Sequence, residues 1–305
     1  RGEAVVLCSA VEHPAVLESA RAAARAAARA GAAGSIDQRE LPVDDAGIVD
    51  LEALTRALSS RSTLVAVMTA NNETGAVQPV AAVVDAVRRR APEAVVFTDA
   101  VQATPWLDLA ECTSGADLVA LSAHKAGGPV GTGVLAIDPR VRLAPRQHGG
   151  GQERERRSGT QDVAGAVGLA TALRLVAAER ADAVPRVAAL RDRLRDGLLD
   201  AIEGAHRTVP PGGSVLPGHL HLCLPGVARE EVLVAMGREG ICVSGGSSCA
   251  SGALEPSYVL AAMGVGPDLA RGAVRFSLGP GTSEEDVSRA LRVVPEVVAR
   301  LRGGR

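Results

Sequence analysis

The chain has 305 residues and a formal net charge of −2, with 33 basic residues against 35 acidic ones. At roughly 150 residues per domain, this length predicts one large domain or two ordinary ones. The nearly balanced charge argues against binding to nucleic acid or to an anionic membrane, and an aromatic content of 1% argues against base stacking on aromatic side chains.

The cysteine spacing argues against a disulfide framework or a zinc cluster. The five cysteines are an odd number, and no two of them are separated by two residues. This usage favours a reducing cytoplasm. The longest segment without charged residues, 208–228, contains four prolines and therefore does not predict a membrane helix.

Short apolar segments alternate with helical ones in the N-terminal half. Fully apolar strands in such an alternation predict a largely parallel sheet covered by helices on both faces. Ligands bind such sheets at the carboxyl ends of the strands. Strands are predicted at 4–8, 63–68, 94–97, 117–121 and 133–137, and helices at 14–31, 79–90 and 50–58, the last opened by Asp50 as its N-cap.

The C-terminal half predicts longer helices and a second unit. Residues 163–203 predict one or two helices, broken or bent near Pro185, and the Gly-, Pro- and His-rich segment 204–228 predicts a crossover between domains. Helices are predicted at 229–239, 256–263 and 283–302, with strands at 241–243 and 273–278. We expect a large domain at 1–180 and a smaller α+β domain at 181–305.

Lys125 is the sole lysine of the chain, and the other residues among the 33 Lys and Arg are all arginines. An amine can form a Schiff base, whereas a guanidinium cannot. Lys125 directly follows a predicted buried strand and stands beside Ser122 and His124. This position favours a catalytic amine over a surface lysine.

Asp99 ends the preceding predicted strand, 26 residues before Lys125. A lysine for the aldehyde and an acid for the ring nitrogen are what a pyridoxal phosphate site requires. Gln102 could then bind the phenolic oxygen of the ring. By itself, an aspartate after a strand is often a helix cap.

The segment 243–252 is glycine- and serine-rich and contains Cys249. A cysteine in such a polar loop is expected to be accessible and is a candidate nucleophile. The remaining cysteines lie in apolar or strand-like contexts and are predicted to be structural; they are Cys8, Cys112, Cys223 and Cys242.

Two further residues admit more than one interpretation. His13 follows the first strand, where an imidazole could stack on a flat ring and move protons, or could simply be hydrogen-bonded at a strand–helix junction. Arg275 lies inside an apolar strand and needs an anion, which could be a substrate carboxylate or an internal Asp or Glu.

Seven segments in order resemble the cysteine desulfurases of the NifS/IscS kind. This group belongs to the class V aminotransferases, which are fold-type I pyridoxal-phosphate enzymes. The matching segments run from residue 11 to residue 279 and read VEHPAVL, NNETGAVQP, TDAVQ, SAHKAGGPVGTGVL, HGGGQERERRSGT, SGGSSCASGALEPSYVL and VRFSLG.

The resemblance implies a role for each matching residue. Lys125 forms the Schiff base and moves the Cα proton, Asp99 pairs with the ring nitrogen, and Gln102 with the phenolic oxygen. Cys249 takes the sulfur of L-cysteine as a persulfide, leaving alanine. The other implied roles are ring stacking and acid–base steps for His13, phosphate binding for Ser122 and His124, phosphate binding across a homodimer for Thr160, and carboxylate binding for Asn72 and Arg275.

The resemblance also implies an acceptor for the sulfur, such as an Fe–S scaffold protein. The sequence departs from the family pattern in two places. The family carries a Gly-Ala-Thr phosphate-binding turn upstream of the position of His13, and none precedes it here, so we expect either a fragment or a protein that has lost part of the fold. The segment 18–40 is richer in Ala and Arg than in relatives, and we expect an extended helix or a surface insertion there.

Two alternatives remain open. One is another class V enzyme, such as a selenocysteine lyase or an aminotransferase; the loop cysteine argues against a transaminase, which needs no thiol there. The other is an inactive fragment that serves only as a binding or dimerisation module, which the missing turn would explain.

Overall fold

A computed structural model describes residues 4–30, 35–246 and 257–303. Within these ranges, a six-stranded sheet has the order β2-β1-β3-β4-β5-β6, in which β6 alone is antiparallel to its neighbour. A second sheet has the antiparallel order β7-β8-β9. The strands are β1 Ala4–Ser9, β2 Ile36–Leu41, β3 Ser62–Ala66, β4 Val95–Asp99, β5 Leu118–Ser122, β6 Gly133–Ile137, β7 His206–Arg207, β8 His219–Cys223 and β9 Ala273–Ser277.

Helices separate most of the strands of the large sheet and follow those of the small one. They are α1 Pro14–Arg29, α2 Leu51–Ala57, α3 Val80–Arg90, α4 Leu109–Cys112, α5 Gln152–Glu155, α6 Val163–Ala201, α7 Arg229–Arg238, α8 Tyr258–Ala262, α9 Pro267–Ala270 and α10 Glu284–Gly303, with a 3₁₀ turn at Ala123–Ala126. Among the described residues, no helix combines the length and hydropathy needed to cross a membrane.

The core follows from the alternation of side chains along the strands. In β1, Val5 and Leu7 pack with the α2–α3 side of the large sheet, whereas Val6 and Cys8 pack towards Leu17 of α1 on the other side. Both faces of the sheet are therefore covered, as the apolar strands predict. The predicted α/β class with a mostly parallel sheet is confirmed, and the structure adds that the smaller sheet is antiparallel.

A third core cluster joins the small sheet to its helices. Leu222 of β8 and Phe276 of β9 pack against the second half of α6, against α7 and against α10, and the same cluster includes Ala100 just after β4. The expected boundary between residues 180 and 181 falls inside α6. The division into two domains remains a prediction.

Three expectations for individual segments are wrong. The segment 18–40 is not one extended helix, because α1 ends at Arg29 and β2 then pairs in parallel with β1; that it is an insertion relative to the family stays a prediction. Residues 241–243 do not form a strand; only Ser244 makes an isolated bridge, to Arg275. The segment 204–228 contains β7 and β8 rather than only a crossover.

Other expectations hold closely. Asp50 is the N-cap of α2, and its carboxylate accepts hydrogen bonds from the backbone N–H groups of Glu52 and Ala53. The helix across Pro185 is one element, α6, with the proline inside it.

Candidate active site

The carboxyl ends of four parallel strands carry residues with ionisable or polar side chains. His13 follows β1, Asn72 lies in the turn after β3, Asp99 is the last residue of β4, and Ser122 is the last residue of β5. These strands are neighbours in the order β1-β3-β4-β5. The four side chains therefore lie along one edge of the sheet, where α/β proteins bind their ligands.

Lys125 lies in the 3₁₀ turn that directly follows β5. Its side chain is exposed, and within the described ranges it forms neither a hydrogen bond nor an ion pair. Next to it, Ser122 Oγ and His124 Nδ1 lie 2.6 Å apart and share a hydrogen bond. The end of β5 thus presents an unengaged amine together with a hydroxyl–imidazole pair.

Asp99 ends the strand that pairs with β5, in register with Ala120. Its Oδ1 accepts a hydrogen bond of 2.9 Å from the backbone N–H of Val101. Burial raises the pKa of Asp99, while the Val101 N–H and the nearby His13 oppose that shift. Because no ion pair compensates Asp99 within the described residues, a cationic group bound against it would be stabilised.

His13 is the N-cap of α1, followed by Pro14 at the first helical position. Its Nδ1 accepts a hydrogen bond of 3.1 Å from the backbone N–H of Ala15. In the neutral ring the proton is therefore on Nε2. The capping role and a catalytic role are compatible, since the cap engages only one ring nitrogen.

Gln102 and Thr160, both with an implied role at the cofactor, differ in where they lie relative to the strand ends. Gln102 is half-buried three residues after Asp99. Thr160 is exposed in the segment between β6 and α6, and within the described part of the chain it has no hydrogen bond to the residues at the strand ends. Its place three residues after Asp99 thus puts Gln102 at the edge of the sheet, whereas the position of Thr160 in the chain does not put it there.

Arg275 connects the small sheet to the turn after β3. Its Nη1 donates to the main-chain oxygen of Asn72 at 2.5 Å, and its Nε donates to Ser277 Oγ at 3.1 Å. Burial lowers the pKa of Arg275, and the nearby Glu73 opposes that shift. No described carboxylate forms an ion pair with Arg275, and the buried Oδ1 of Asn72 has no described partner. The guanidinium could therefore bind an anionic ligand, whereas the Asn72 oxygen could accept a hydrogen bond from a donor.

Cys249 lies outside the described residues. Among the other cysteines, Cys8 and Cys223 are buried and Cys112 is half-buried, but Cys242 is exposed, which contradicts its expected structural role. The error follows from the strand wrongly expected at 241–243. Burial raises the pKa of Cys8 to about 12, so this thiol is not a nucleophile at neutral pH.

The sequence reasoning missed three buried titratable groups near the edge of the sheet. Glu12 is fully buried, and burial raises its pKa to about 8. Glu73 is 2% exposed, and burial raises its pKa as well. His219 is buried, and its pKa is lowered to about 3 by that burial and by the charges of Arg275 and Lys125. For Glu12 and His219 the available signal was a charged or imidazole side chain in a mostly apolar stretch, whereas Glu73 lies in a polar turn and gave no such signal.

The chain matches the family model for aminotransferase class-V over residues 1–290. Sequence comparison finds 41% identity over 301 residues with a cysteine desulfurase of Gluconacetobacter diazotrophicus, covering 99% of this chain and 73% of the relative. It also finds 40% identity over 313 residues with a cysteine desulfurase IscS of Anaeromyxobacter, covering 99% and 72%. The chain belongs to the aminotransferase class-V family.

Solved structures with this fold include a NifS-like protein, with a TM-score of 0.86 and 34% sequence identity, covering 98% of this chain and 76% of that one. Another is DndA from Streptomyces lividans, with a TM-score of 0.72 and 31% identity over 90% of this chain and 74% of that one. The chain thus spans about three quarters of the length of these relatives. The resemblance to the NifS/IscS group and to the fold-type I enzymes is confirmed.

Proposed function

We propose that this chain is a pyridoxal-phosphate-dependent cysteine desulfurase, which converts L-cysteine to L-alanine and transfers the sulfur to its own Cys249. The observation that carries the proposal is the placement of Lys125 and Asp99. The only lysine follows β5, and the acid ends β4, the strand hydrogen-bonded to β5. Relatives named cysteine desulfurases at about 40% identity support this reaction.

The residues at the edge of the sheet fit pyridoxal 5'-phosphate. The unengaged amine of Lys125 would bond to its aldehyde, and Asp99, buried without an ion pair, would hold the protonated ring nitrogen. Ser122 and His124 offer a paired hydroxyl and imidazole for the phosphate. When bound, this cofactor supplies a sink for the electrons released at the substrate Cα. Gln102 would donate to the phenolic oxygen of the ring.

The acid–base work falls to His13 and Lys125. With its Nδ1 held by the N–H of Ala15, His13 can stack on a flat ring and exchange a proton at Nε2. Lys125 can move the proton between the substrate Cα and the solvent-facing side of the site. Arg275 and the amide of Asn72 would bind the substrate carboxylate, because the guanidinium forms no ion pair with a described residue.

Sulfur transfer needs a nucleophilic thiol, which we assign to Cys249. The thiolate attacks the substrate sulfur: the Cβ–S bond breaks, an S–S bond forms, and the electron pair of the broken bond remains with the carbon that becomes the alanine methyl group. One L-cysteine and one thiol thus give one alanine and one persulfide, and no external oxidant is consumed. The persulfide then passes to an acceptor protein, such as an Fe–S scaffold.

The proposal includes a homodimer and a cytoplasmic location. Thr160 is exposed and forms no hydrogen bond with the described strand-end residues of its own chain. This agrees with a contribution to the phosphate site of a second copy. Exposed apolar side chains elsewhere on the chain also agree with a subunit contact, at Val134 and Leu135 of β6 and at Val163 and Val167 of α6.

The test measures alanine formation from L-cysteine with added pyridoxal phosphate, together with the persulfide on the protein. Cys249→Ser is compared with Cys242→Ser, which removes an exposed thiol seven residues earlier. We expect alanine and persulfide from the parent and from Cys242→Ser, and no persulfide from Cys249→Ser.

Alanine from Cys249→Ser at the parent rate would contradict the role of the thiol and favour a lyase of the selenocysteine type. Binding of the cofactor without alanine from any variant would contradict the desulfurase and favour a transaminase, which amino-group transfer to a keto acid would reveal. Failure to bind the cofactor at all would favour a binding or dimerisation module.

A further inference from the structure

A cavity of about 240 Å³ lies beside the small sheet, and none of the described residues that line it has a role in the proposed reaction. A cavity of this size is far larger than a single water molecule needs. Its walls come from the second half of α6, from β7 and β8, and from the proline- and glycine-rich loop 209–215 between these strands. The chemistry of these walls indicates what the cavity can bind.

The lining is positively charged. It includes the guanidinium groups of Arg191, Arg195 and Arg207, whereas none of the described lining residues is an aspartate or a glutamate. Two carboxylates stand next to these arginines along α6. Asp192 Oδ1 accepts from Arg191 at 2.8 Å and from Arg195 at 2.6 Å, and Arg195 also donates to both oxygens of Asp196. Three cations are thus balanced by two anions, and one positive charge remains.

The uncompensated charge belongs to Arg207 of β7, which forms no ion pair with a described carboxylate. Its Nε donates to the main-chain oxygen of Val209 at 3.0 Å, while neither terminal nitrogen has a hydrogen-bond partner among the described residues. Burial lowers the pKa of Arg207, and the nearby Arg195 lowers it further, while Asp196 and Asp192 oppose the shift. A guanidinium in these surroundings gains both charge balance and hydrogen bonds from a bound anion.

Two buried histidines of β8 line the same cavity: His219 is 7% exposed and His221 is 4% exposed. His221 Nδ1 shares a 2.6 Å hydrogen bond with Thr208 Oγ1, whereas His221 Nε2 and His219 Nδ1 have no described partner. Burial, together with the charge of Arg275, lowers the pKa of both rings to about 3. Both rings are therefore neutral at pH 7. Buried polar atoms without a protein partner indicate that a polar ligand or water belongs beside them.

The cavity adjoins the turn after β3, which carries Asn72. Thr74 of this turn is one of the lining residues. The backbone N–H of Leu216 donates to the main-chain oxygen of Gly75 at 2.9 Å, which ties the end of the loop to the same turn. A ligand in the cavity therefore lies against a turn of the proposed active site, while it uses none of the residues that the proposed function requires.

We propose that this cavity binds a tetrahedral oxyanion, either a free phosphate or sulfate ion or the acidic end of a small phosphate or sulfate ester, with Arg207 as its principal ligand. Arg191 offers a second group, because only its Nε and Nη1 form hydrogen bonds with described residues. These donors come from different elements, α6 and β7. The two coplanar oxygens of a carboxylate are satisfied by one guanidinium fork, whereas a tetrahedral anion has oxygens for donors on several sides.

The first experiment titrates the protein loaded with pyridoxal phosphate with inorganic phosphate, by calorimetry at constant ionic strength. We expect Arg207→Gln to weaken phosphate binding about tenfold or more, the effect of one lost charged hydrogen bond, and Arg207→Lys to weaken it less because the charge remains. The control is Arg174→Gln, which removes an exposed arginine of α6 outside the cavity and should leave the affinity unchanged. Sodium acetate provides the carboxylate comparison, and glycerol 3-phosphate distinguishes an ester from the free ion.

The second measurement locates the anion in the parent protein. Phenylglyoxal modifies accessible guanidinium groups, and peptide mass spectrometry gives the rate at each arginine. Phosphate at about ten times its Kd should slow the modification of Arg207 about tenfold, whereas the rate at Arg174 should not change. Because this measurement needs no variant, it decides the question even where Arg207→Gln does not fold.

Several outcomes overturn the proposal. One is equal phosphate affinity in the parent and in a folded Arg207→Gln, and another is equal protection of Arg207 and Arg174. Acetate that binds as tightly as phosphate would overturn the assignment to a tetrahedral anion. If the parent does not bind pyridoxal phosphate, the proposed function fails, while the protection of Arg207 by phosphate still decides whether the cavity is an anion site.

Discussion

Arg275 Nη1 donates to the main-chain oxygen of Asn72, although the two residues are 203 positions apart. The hydrogen bond joins β9 of the small sheet to the turn after β3 of the large one. It aligns a guanidinium beside an amide whose buried Oδ1 has no described partner. The bond thus places side by side the two residues, Arg275 and Asn72, that we propose bind the substrate carboxylate.

Replacing Arg275 by lysine tests this pair. Lysine keeps the charge but loses the planar fork that can donate to a carboxylate while retaining the bond to Asn72. We expect KM for L-cysteine to rise about tenfold or more, with the affinity for pyridoxal phosphate unchanged. Steady-state kinetics and a cofactor titration measure the two quantities, and an unchanged KM would remove Arg275 from the substrate site.

The single lysine permits a chemical test of the cofactor site. Borohydride reduction in the presence of pyridoxal phosphate should add one reduced pyridoxyl phosphate group at Lys125, found by peptide mass spectrometry. Lys125→Arg keeps the charge without a nucleophilic amine and should remove both this adduct and the visible absorbance band. Stoichiometric incorporation elsewhere in the parent would contradict the assignment.

Glu12 predicts a dependence of stability on pH. Its side chain is fully buried, Oε1 accepts from the backbone N–H of Met68, and Oε2 has no partner among the described residues. Burial raises the pKa from 4.5 to about 8, so the folded state retains a proton that the unfolded state loses. Stability from this group is complete below pH 4.5 and is lost as the pH rises towards about 8.

Glu12→Gln isolates that contribution, because an amide does not titrate. We expect the difference in Tm between Glu12→Gln and the parent to move in favour of the variant as the pH rises from 4.5 to about 8. Thermal unfolding followed by circular dichroism measures it. A difference that is constant over this range would show that Glu12 is ionised in the folded protein.

Two glycines with opposite surroundings test the packing of the small sheet. At Gly272 a Cβ would lie 1.9 Å from the main-chain oxygen of Leu224, so Gly272→Ala must displace the backbone. We expect a loss of at least about 1–3 kcal/mol in the free energy of unfolding. Gly237 of α7 is exposed with open space around it, and Gly237→Ala should stabilise the protein by about 0.5–1 kcal/mol. Equal effects in urea unfolding would contradict this packing.

The residues at the strand ends were open to prediction because their signals are local. An apolar run followed by Asp99, or by Ser122 to Lys125, specifies both a buried strand and the polar group at its end. The edge strand β2 was missed because its sequence, IDQREL, is mostly polar. It therefore lacks the apolar run by which the other strands of the large sheet were recognised. The strand β8 was missed because histidines alternate there with leucines between proline-rich turns.

The amino-acid sequence by itself determined the chemical groups at the site and their order on neighbouring strands. The single lysine and the polar residues that follow each apolar run can be read from the sequence without knowing which distant residues are in contact. Only the tertiary structure decided that Glu73 meets Ser257 and that Arg275 meets Asn72, across 184 and 203 residues. Burial, pKa and partner are properties of the environment that packing creates, so a glutamate in a turn has the same sequence signature whether it is exposed or holds two distant segments together.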